Sequence, residues 1–394
     1  MLKQLGYHQL IANWLTTHED GVWTWFSNRK LQEDQDAETR DLLLQQTVRL
    51  TRDTHASAYD CCEAAMANLG VEAPVTLYQA GDGAMNAALF FIPGEIHVVL
   101  YGPVLERLSD TELTALFGHE VSHYLLWTLD NRRFRIAQQI IDDAAQQSPG
   151  DTALYETARL YVLATEVFAD RGAALACGEP DAAIAVLLKV MTGLQQTDPS
   201  AFLQQAEELD AKGDIAKSQT HPEVYLRALF IDRWWRQRQT ALAGEIDDWV
   251  LTKLKGPMVI GQLDLVDQEV LSSFTSQFFA RLLHETQLAS KMVVTQVQQF
   301  FPEWTLEEER IDLEKLKAVA KDKSVRDYFV ALIFDLAHAD PDQTEELLIR
   351  GAKLALSLDW EDEYRENLKT LLKMRKPQID RIVKASDKVI WEMS

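Results

Sequence analysis

Two histidines four residues apart, His119 and His123, stand in the run TELTALFGHEVSHYLLW, with Glu120 directly after the first. On a helix, residues i and i+4 share one face about a turn apart, so both imidazoles reach a single ion. Zn²⁺ takes such nitrogen ligands at about 2.0–2.1 Å. A glutamate beside the first ligand leans toward the open coordination position, where it takes a proton from an activated water. The pattern therefore points to hydrolysis by metal-activated water. With 9 histidines in 394 residues, the spacing arises by chance in about one or two such chains per hundred. Its flanks, ALFG and YLLW, are apolar, and two bare histidines in a buried helix need partners.

Two histidines leave a third ligand to be found. The run ATEVFADRGA places Glu166 and Asp170 four apart on one helical face, between the apolar flanks LYVLAT and AALACG. Carboxylates on a buried helix need a cation or a hydrogen-bond donor. One of the two is suited to ligate zinc, and the other to orient a ligand histidine. Spacing alone does not say which.

The elements that must position these residues read as mostly helical with a small β-hairpin or sheet, an α+β chain. Residues 37–70 carry helical apolar spacing closed by Gly70. The period then changes in APVTLYQA and AALFFIPGEIHVVLYG, which are rich in β-branched and aromatic residues, and Pro93–Gly94 reads as a hairpin turn. The histidine helix starts at Ser109 or Asp110, with Glu112 three after Ser109 as a capping box requires. SPGD (148–151) ends the next helix, and Gly178 closes the one that carries the two carboxylates. The Gly256, Pro257 and Gly261 cluster marks a junction. The organisation expected is an N-terminal helical segment (1–36), a site-bearing domain (37–255) and a helical C-terminal domain (256–394).

Composition excludes several classes. A net charge of −22 argues against nucleic acid and against anionic membrane surfaces. DRWWRQRQ (232–239) is then a packing helix with solvated arginines rather than a nucleic-acid site. QLDLVDQEV lacks the glycine and the terminal glutamate of a calcium loop. No apolar run reaches the roughly 18 residues that span a bilayer; the best candidate, AAIAVLLKVMTGL, is short and contains Lys189. The N-terminus does not read as a signal peptide. Three cysteines, Cys61, Cys62 and Cys177, fit a reducing compartment and small packing roles. A cytoplasmic protein without membrane insertion is expected.

Four motifs in order carry a family resemblance: MNAALF (85–90), HEVSH (119–123), EVFAD (166–170) and SQTHPEVYLRAL (218–229). Over about residues 40 to 240 the sequence resembles the M48 zinc metallopeptidases. The resemblance implies a zincin-type (gluzincin) fold and a zinc-dependent endopeptidase acting on a peptide or protein substrate. It implies that His119, His123 and Glu166 ligate zinc, that Glu120 is the general base and that Asp170 holds a ligand histidine. It matches His221 to a histidine that helps stabilise the oxyanion, and Arg227 to a basic residue near the site. Asn86 and Ala87 would lie on the edge strand to which a peptide adds. The chain departs from the membrane-bound members in lacking transmembrane segments, which argues against membrane-embedded substrates.

The C-terminal stretch ALIFDLAHADPDQTEELLIRGAKLALSLDWEDEY resembles the TerB-like helical domains. That implies a docking or regulatory module for a protein partner, with acidic residues at Asp340 and Asp342; a helical bundle packed on the catalytic domain is the alternative. For the whole chain the alternative to an endopeptidase is a regulatory or protein-binding module on a peptidase scaffold, with weak or gated activity. Intact Glu120 favours the enzyme.

Overall fold

The computed structural model describes residues 2–81, 83–240, 242–284, 288–306 and 311–389, with the side chains of 29–35 and 243 outside the description. The chain divides into two compact units, Met1–Gly256 and Pro257–Ser394.

The first unit opens with α1 (Gly6–His18), α2 (Asp20–Phe26), α3 (Arg29–Gln46), the short β1 (Val48–Arg49) and α4 (Ala56–Leu69). The single helical stretch expected over 37–70 is therefore wrong. Helix breaks at Thr47, and Val48 and Arg49 pair with Gln79 and Tyr78, a long-range partnership that local apolar spacing cannot report. Strands β2 (Val75–Gln79), β3 (Asn86–Ile92) and β4 (Glu95–Tyr101) complete a mixed sheet of order β1-β2-β4-β3. Pro93 and Gly94, with Gly94 at φ 82°, form the turn between antiparallel β3 and β4. The ladder between β2 and β4 is parallel.

Alternation along β4 gives the sheet two faces. Ile96, Val98 and Leu100 join the main core with α4, while Val99 meets Tyr78 and Leu43 of α3 on the other side. Strand β3 is left at an edge.

Helices follow: α5 (Val104–Arg107), α6 (Asp110–Gln147), α7 (Thr152–Cys177), α8 (Pro180–Thr192), α9 (Pro199–Asp210), α10 (Val224–Gln237) and α11 (Ala243–Lys255). The capping box that starts α6 is present: Ser109 Oγ accepts from Glu112 N, and a Glu112 carboxylate oxygen accepts from Ser109 N at 2.8 Å. The element is interrupted at Leu129–Arg132, where Asp130, Asn131 and Arg132 take positive φ. The histidine-bearing part is thus a helix of its own, as the sequence suggests. Asp151 caps α7 by accepting from Ala153 N and Leu154 N, and Gly178 ends it at φ 74°.

Helices α6 and α7 run antiparallel in close contact, Gly118 lying against Ala176 and Gly172 against Ser122. A Cβ on Gly118 would stand 2.3 Å from Ala176 Cβ, and one on Gly172 would stand 1.7 Å from Ser122 Oγ. Glycine at these two points lets the backbones approach, and that approach brings side chains one turn further along within bonding range of one another.

The second unit is wholly helical among its described residues. It comprises α12 (Leu265–Leu282), α13 (Lys291–Phe300), α14 (Leu313–Val319), α15 (Lys323–Ala339), α16 (Thr344–Ser357), α17 (Glu361–Thr370) and α18 (Lys376–Ser386). Phe278, Phe329, Trp304, Trp360 and Tyr364 dominate its core. Residues 390–394, at the end of the expected C-terminal helix, lie outside the described residues.

Candidate metal centre

His119 and His123 face each other across one turn of α6, with Nε2 to Nε2 at 3.2 Å. Glu166, from the middle of α7, sets Oε2 3.6 Å from His119 Nε2 and Oε1 3.6 Å from His123 Nε2. One donor atom from each residue lies within 4.8 Å of the others, and among the described residues this is the group that could hold a metal ion. Ligands at about 2.1 Å around a tetrahedral centre stand roughly 3.4 Å apart, so the observed spacings fit a zinc-sized ion. Glu166 Oε2 is buried and makes no hydrogen bond, an acceptor that a cation would satisfy.

Asp170 lies one turn after Glu166 and does two jobs. Its Oδ1 stands 3.1 Å from His119 Nδ1, which fixes the ring and leaves Nε2 turned toward Glu166. Both its oxygens also accept from Arg227 of α10, at 2.6 and 2.7 Å. Arg227 reaches within 3.5 Å of Glu166 Oε2 as well. The sequence had a helical arginine here without a contact; its partner is the carboxylate that orients the ligand histidine. His221, in the loop before α10, is more than half exposed and places Nε2 3.4 Å from Glu166 Oε2.

Burial opposes charge throughout this cluster, and the partners decide each outcome. Burial lowers the pKa of His119, but the hydrogen bond to Asp170 and the charge of Glu166 reverse the shift, and the net direction is upward. For His123 burial dominates and the pKa falls to about 4 despite Glu166, so the ring is neutral with a lone pair to give. Burial pushes Glu166 up, yet His119, His123 and Arg227 bring it below its ordinary value. Asp170 is buried too, but Arg227 and His119 hold it well below the usual carboxylate range. Glu120 moves the other way. Burial raises it and Glu166 adds to that, against the pull of His119. A carboxyl that takes up a proton more readily than usual suits a group that must accept one and return it.

Glu120 is buried on the α6 face next to β3, where its Oε2 accepts from Leu89 N at 2.8 Å. That amide points away from the β4 ladder, off the open edge of the sheet. Asn86 and Ala87, from the same strand, line one cavity with His119, Glu120, His123, Glu166, Asp170, His221 and Arg227. All nine residues singled out in the sequence, scattered over 142 positions from Asn86 to Arg227, thus border a single cleft.

Some neighbours were not legible beforehand. Trp127 stacks on His123 with ring centroids 5.4 Å apart; its i+4 spacing from His123 was the available signal. His8, from α1, is fully buried with Nε2 3.1 Å from Thr165 Oγ1, one residue before Glu166. No local pattern connects positions 157 residues apart. DRWWRQRQ is indeed a packing helix, but its arginines are not merely solvated. Arg233 pairs with Glu207 and Asp210 and covers Trp249, and Trp234 receives Arg171 at 5.4 Å. The cysteines are free thiols, and among the described residues no helix is long and apolar enough to cross a membrane.

No curated protein and no solved structure matches the chain. A family model does, over residues 55–234, a span that contains β3, the metal cluster, Asp170, His221 and Arg227. The family whose model residues 55–234 match is peptidase family M48.

Proposed function

We propose that the chain is a zinc-dependent endopeptidase in which His119, His123 and Glu166 hold the metal and Glu120 is the general base. The observation that supports this is the convergence of the three donor atoms, among them Glu166 Oε2, which makes no hydrogen bond, in the cleft that Glu120 borders. Zinc, when bound there, supplies a Lewis acid that polarises a carbonyl and acidifies water. Glu120 takes the proton of the attacking water on its carboxylate and delivers it to the leaving amine. Asp170 holds His119 in the ligating orientation, and Arg227 keeps Asp170 ionised. His221, exposed at the rim, donates to the oxyanion that forms as the carbonyl is attacked. The open edge of β3 at Asn86 and Ala87 receives the substrate as an added strand. The free cysteines support a reducing, cytoplasmic setting.

The test joins metal content to hydrolysis. Protein purified without added metal should carry one zinc per chain, and His119→Ala should lose it. Glu120→Gln should keep zinc and the fold yet lose hydrolysis of an unstructured peptide. Wild-type turnover by Glu120→Gln would end the assignment of the base, and equal zinc in His119→Ala would end that of the ligand.

A further inference from the structure

His119 and His123 face the same position but are held there by different means. Asp170 Oδ1 stands 3.1 Å from His119 Nδ1. A ligand histidine ordinarily donates its other ring N–H to an acceptor, which fixes the ring. His123 departs from that pattern. Its Nδ1 is buried and makes no hydrogen bond among the described residues. What meets this ring is a flat face. Trp127 stacks on it, with the planes 30° apart and the centroids at 5.4 Å. His119, His123 and Trp127 stand at i, i+4 and i+8 of α6, along one side of the helix.

The indole is itself held. Its Nε1 donates to Gln138 Oε1 at 2.9 Å, and Phe91 of β3 meets it edge-on with centroids 5.6 Å apart. The Arg135 guanidinium carbon lies 4.7 Å from the Trp127 ring and 5.8 Å from that of Phe91. Arg135 Nε makes no hydrogen bond among the described residues, and the attraction of a cation to an aromatic face grows as water is removed.

These contacts depend on the break in α6. In an unbroken helix residues 127 and 138 would stand about 16 Å apart along the axis, out of reach of one another. They meet because Asp130, Asn131 and Arg132 take φ of 49°, 55° and 67°. Such backbone is uncommon outside glycine, and strain of this kind collects at functional sites. Here the break turns the rest of α6 back, so that Arg135 and Gln138 lie against Trp127.

We propose that Trp127 is a positioning residue for His123: its ring face sets the plane of the imidazole, and Gln138, returned by the left-handed break, sets the plane of the indole. The inference rests on the reading of His123 as a zinc ligand and adds to it the side chains that hold the second histidine. His123 Nε2 is thereby kept 3.6 Å from Glu166 Oε1 without a carboxylate behind the ring. The choice has an electrostatic reason. Glu120, Glu166 and Asp170 are already buried together, and another acid beside them would be opposed by their charge. An aromatic face orients the ring and adds none.

The experiment titrates the full chain with zinc against a competing chelator, then repeats the loading with cobalt(II), whose visible bands report ligand geometry. Trp127→Leu should weaken zinc by about 10-fold and shift the cobalt bands. Trp127→Phe keeps a flat face and should restore most of both. Gln138→Leu should move the bands in the same direction by less, and it decides the matter if Trp127→Leu does not fold. Ile141→Ala serves as the control for lost packing, since Ile141 is buried in the same part of α6 but does not line the cleft. It should lower the denaturation midpoint and leave zinc affinity and cobalt bands unchanged. Unchanged affinity and bands in Trp127→Leu, unchanged bands in Gln138→Leu, or an equal shift in Ile141→Ala would overturn the assignment. A wild-type chain that binds neither metal ends the zinc reading and this one with it. A wild-type chain that binds zinc no better than Trp127→Leu ends this one alone.

Discussion

Each unit packs one pair of helices through a glycine, and the two pairs fill that contact with different chemistry, a cluster of charges in the first and mostly apolar side chains in the second. In the first unit Gly118 of α6 meets Ala176 of α7, and the neighbouring turns bury Glu120, His123, Glu166, Asp170 and Arg171. In the second unit Gly351 of α16 meets Ile333 of α15, and the neighbouring turns bury Val330, Phe334, Leu347, Leu348 and Leu354, with Arg350, paired to the exposed Glu346, as a buried charge among them. Stability alone asks for the second arrangement, because apolar replacements of buried ion pairs are often neutral or stabilising. The first pair therefore carries charges for a purpose other than holding its helices together, and each buried charge there has a partner or faces the proposed metal position.

That contrast is broken most directly at Arg227. Replacing it by Met leaves Asp170 buried without its two strongest donors. The unfolding free energy should fall by about 3–5 kcal/mol, the usual cost of stranding a buried charge. Lys323→Met removes a surface cation of the second unit that pairs with Asp327 and Glu366, and should leave the midpoint nearly unchanged. Denaturant midpoints of the two variants settle the matter; equal losses would mean that the site's charges are no more committed than surface ones.

The glycines sharpen the comparison. Gly118→Ala and Gly351→Ala each push a Cβ to within 2.3 Å of a buried neighbour, and each should cost about 1–3 kcal/mol by overpacking. Only Gly118→Ala displaces the turn that carries His119, so only it should loosen zinc in a titration against a competing chelator. A loss of zinc affinity in Gly351→Ala as well would refute the separation of roles.

Asp170→Asn tests the same contact more gently. The side chain keeps its shape but loses the charge that orients His119, and zinc affinity should weaken by about 10–100-fold. The same chelator titration checks it, and an unchanged affinity would leave Asp170 a role toward Arg227 alone.

How much of this was readable in advance depended on the range of each interaction. His119, Glu120 and His123 declare themselves by i,i+4 spacing, and Glu166 and Asp170 by acidic residues in an apolar helix; both signals lie within a few turns of one chain segment. The hairpin at Pro93–Gly94 and the caps at Ser109 and Gly178 are equally local. The β1 strand was lost inside an expected helix because its pairing with β2 crosses 31 positions, from Val48 to Gln79. The Leu89 amide on Glu120 depends on the sheet edge, which no side-chain pattern encodes. The α8 run read as apolar, but that its Ala183, Val186, Leu187 and Val190 border the cleft appears only once the cleft exists. No residue at ligand spacing marks His97 in the sequence, yet it is buried between Tyr78 Oη, 3.1 Å away on the neighbouring strand, and Glu95.

The smallest effect expected concerns His8. Its ring is enclosed by Phe134, Tyr161 and Thr165, and burial lowers its pKa from 6.5 to about 3. The folded chain thus holds this imidazole neutral at pH values where the unfolded chain protonates it. Because the unfolded state binds more protons in that window, stability is complete above pH 6.5 and declines as pH falls toward 3. From pH 7 to 5.5 the loss through this one group should be about 1 kcal/mol. The described histidines of the second unit, His284 and His338, are exposed, so this acid-side decline belongs to the first unit. Denaturant midpoints of the zinc-loaded chain at the two pH values measure it, and His8→Phe, which keeps an aromatic ring but cannot titrate, should flatten the difference by about that amount. An identical decline in the variant would mean that His8 is protonated in the fold, and that its pairing with Thr165 is made by a charged ring.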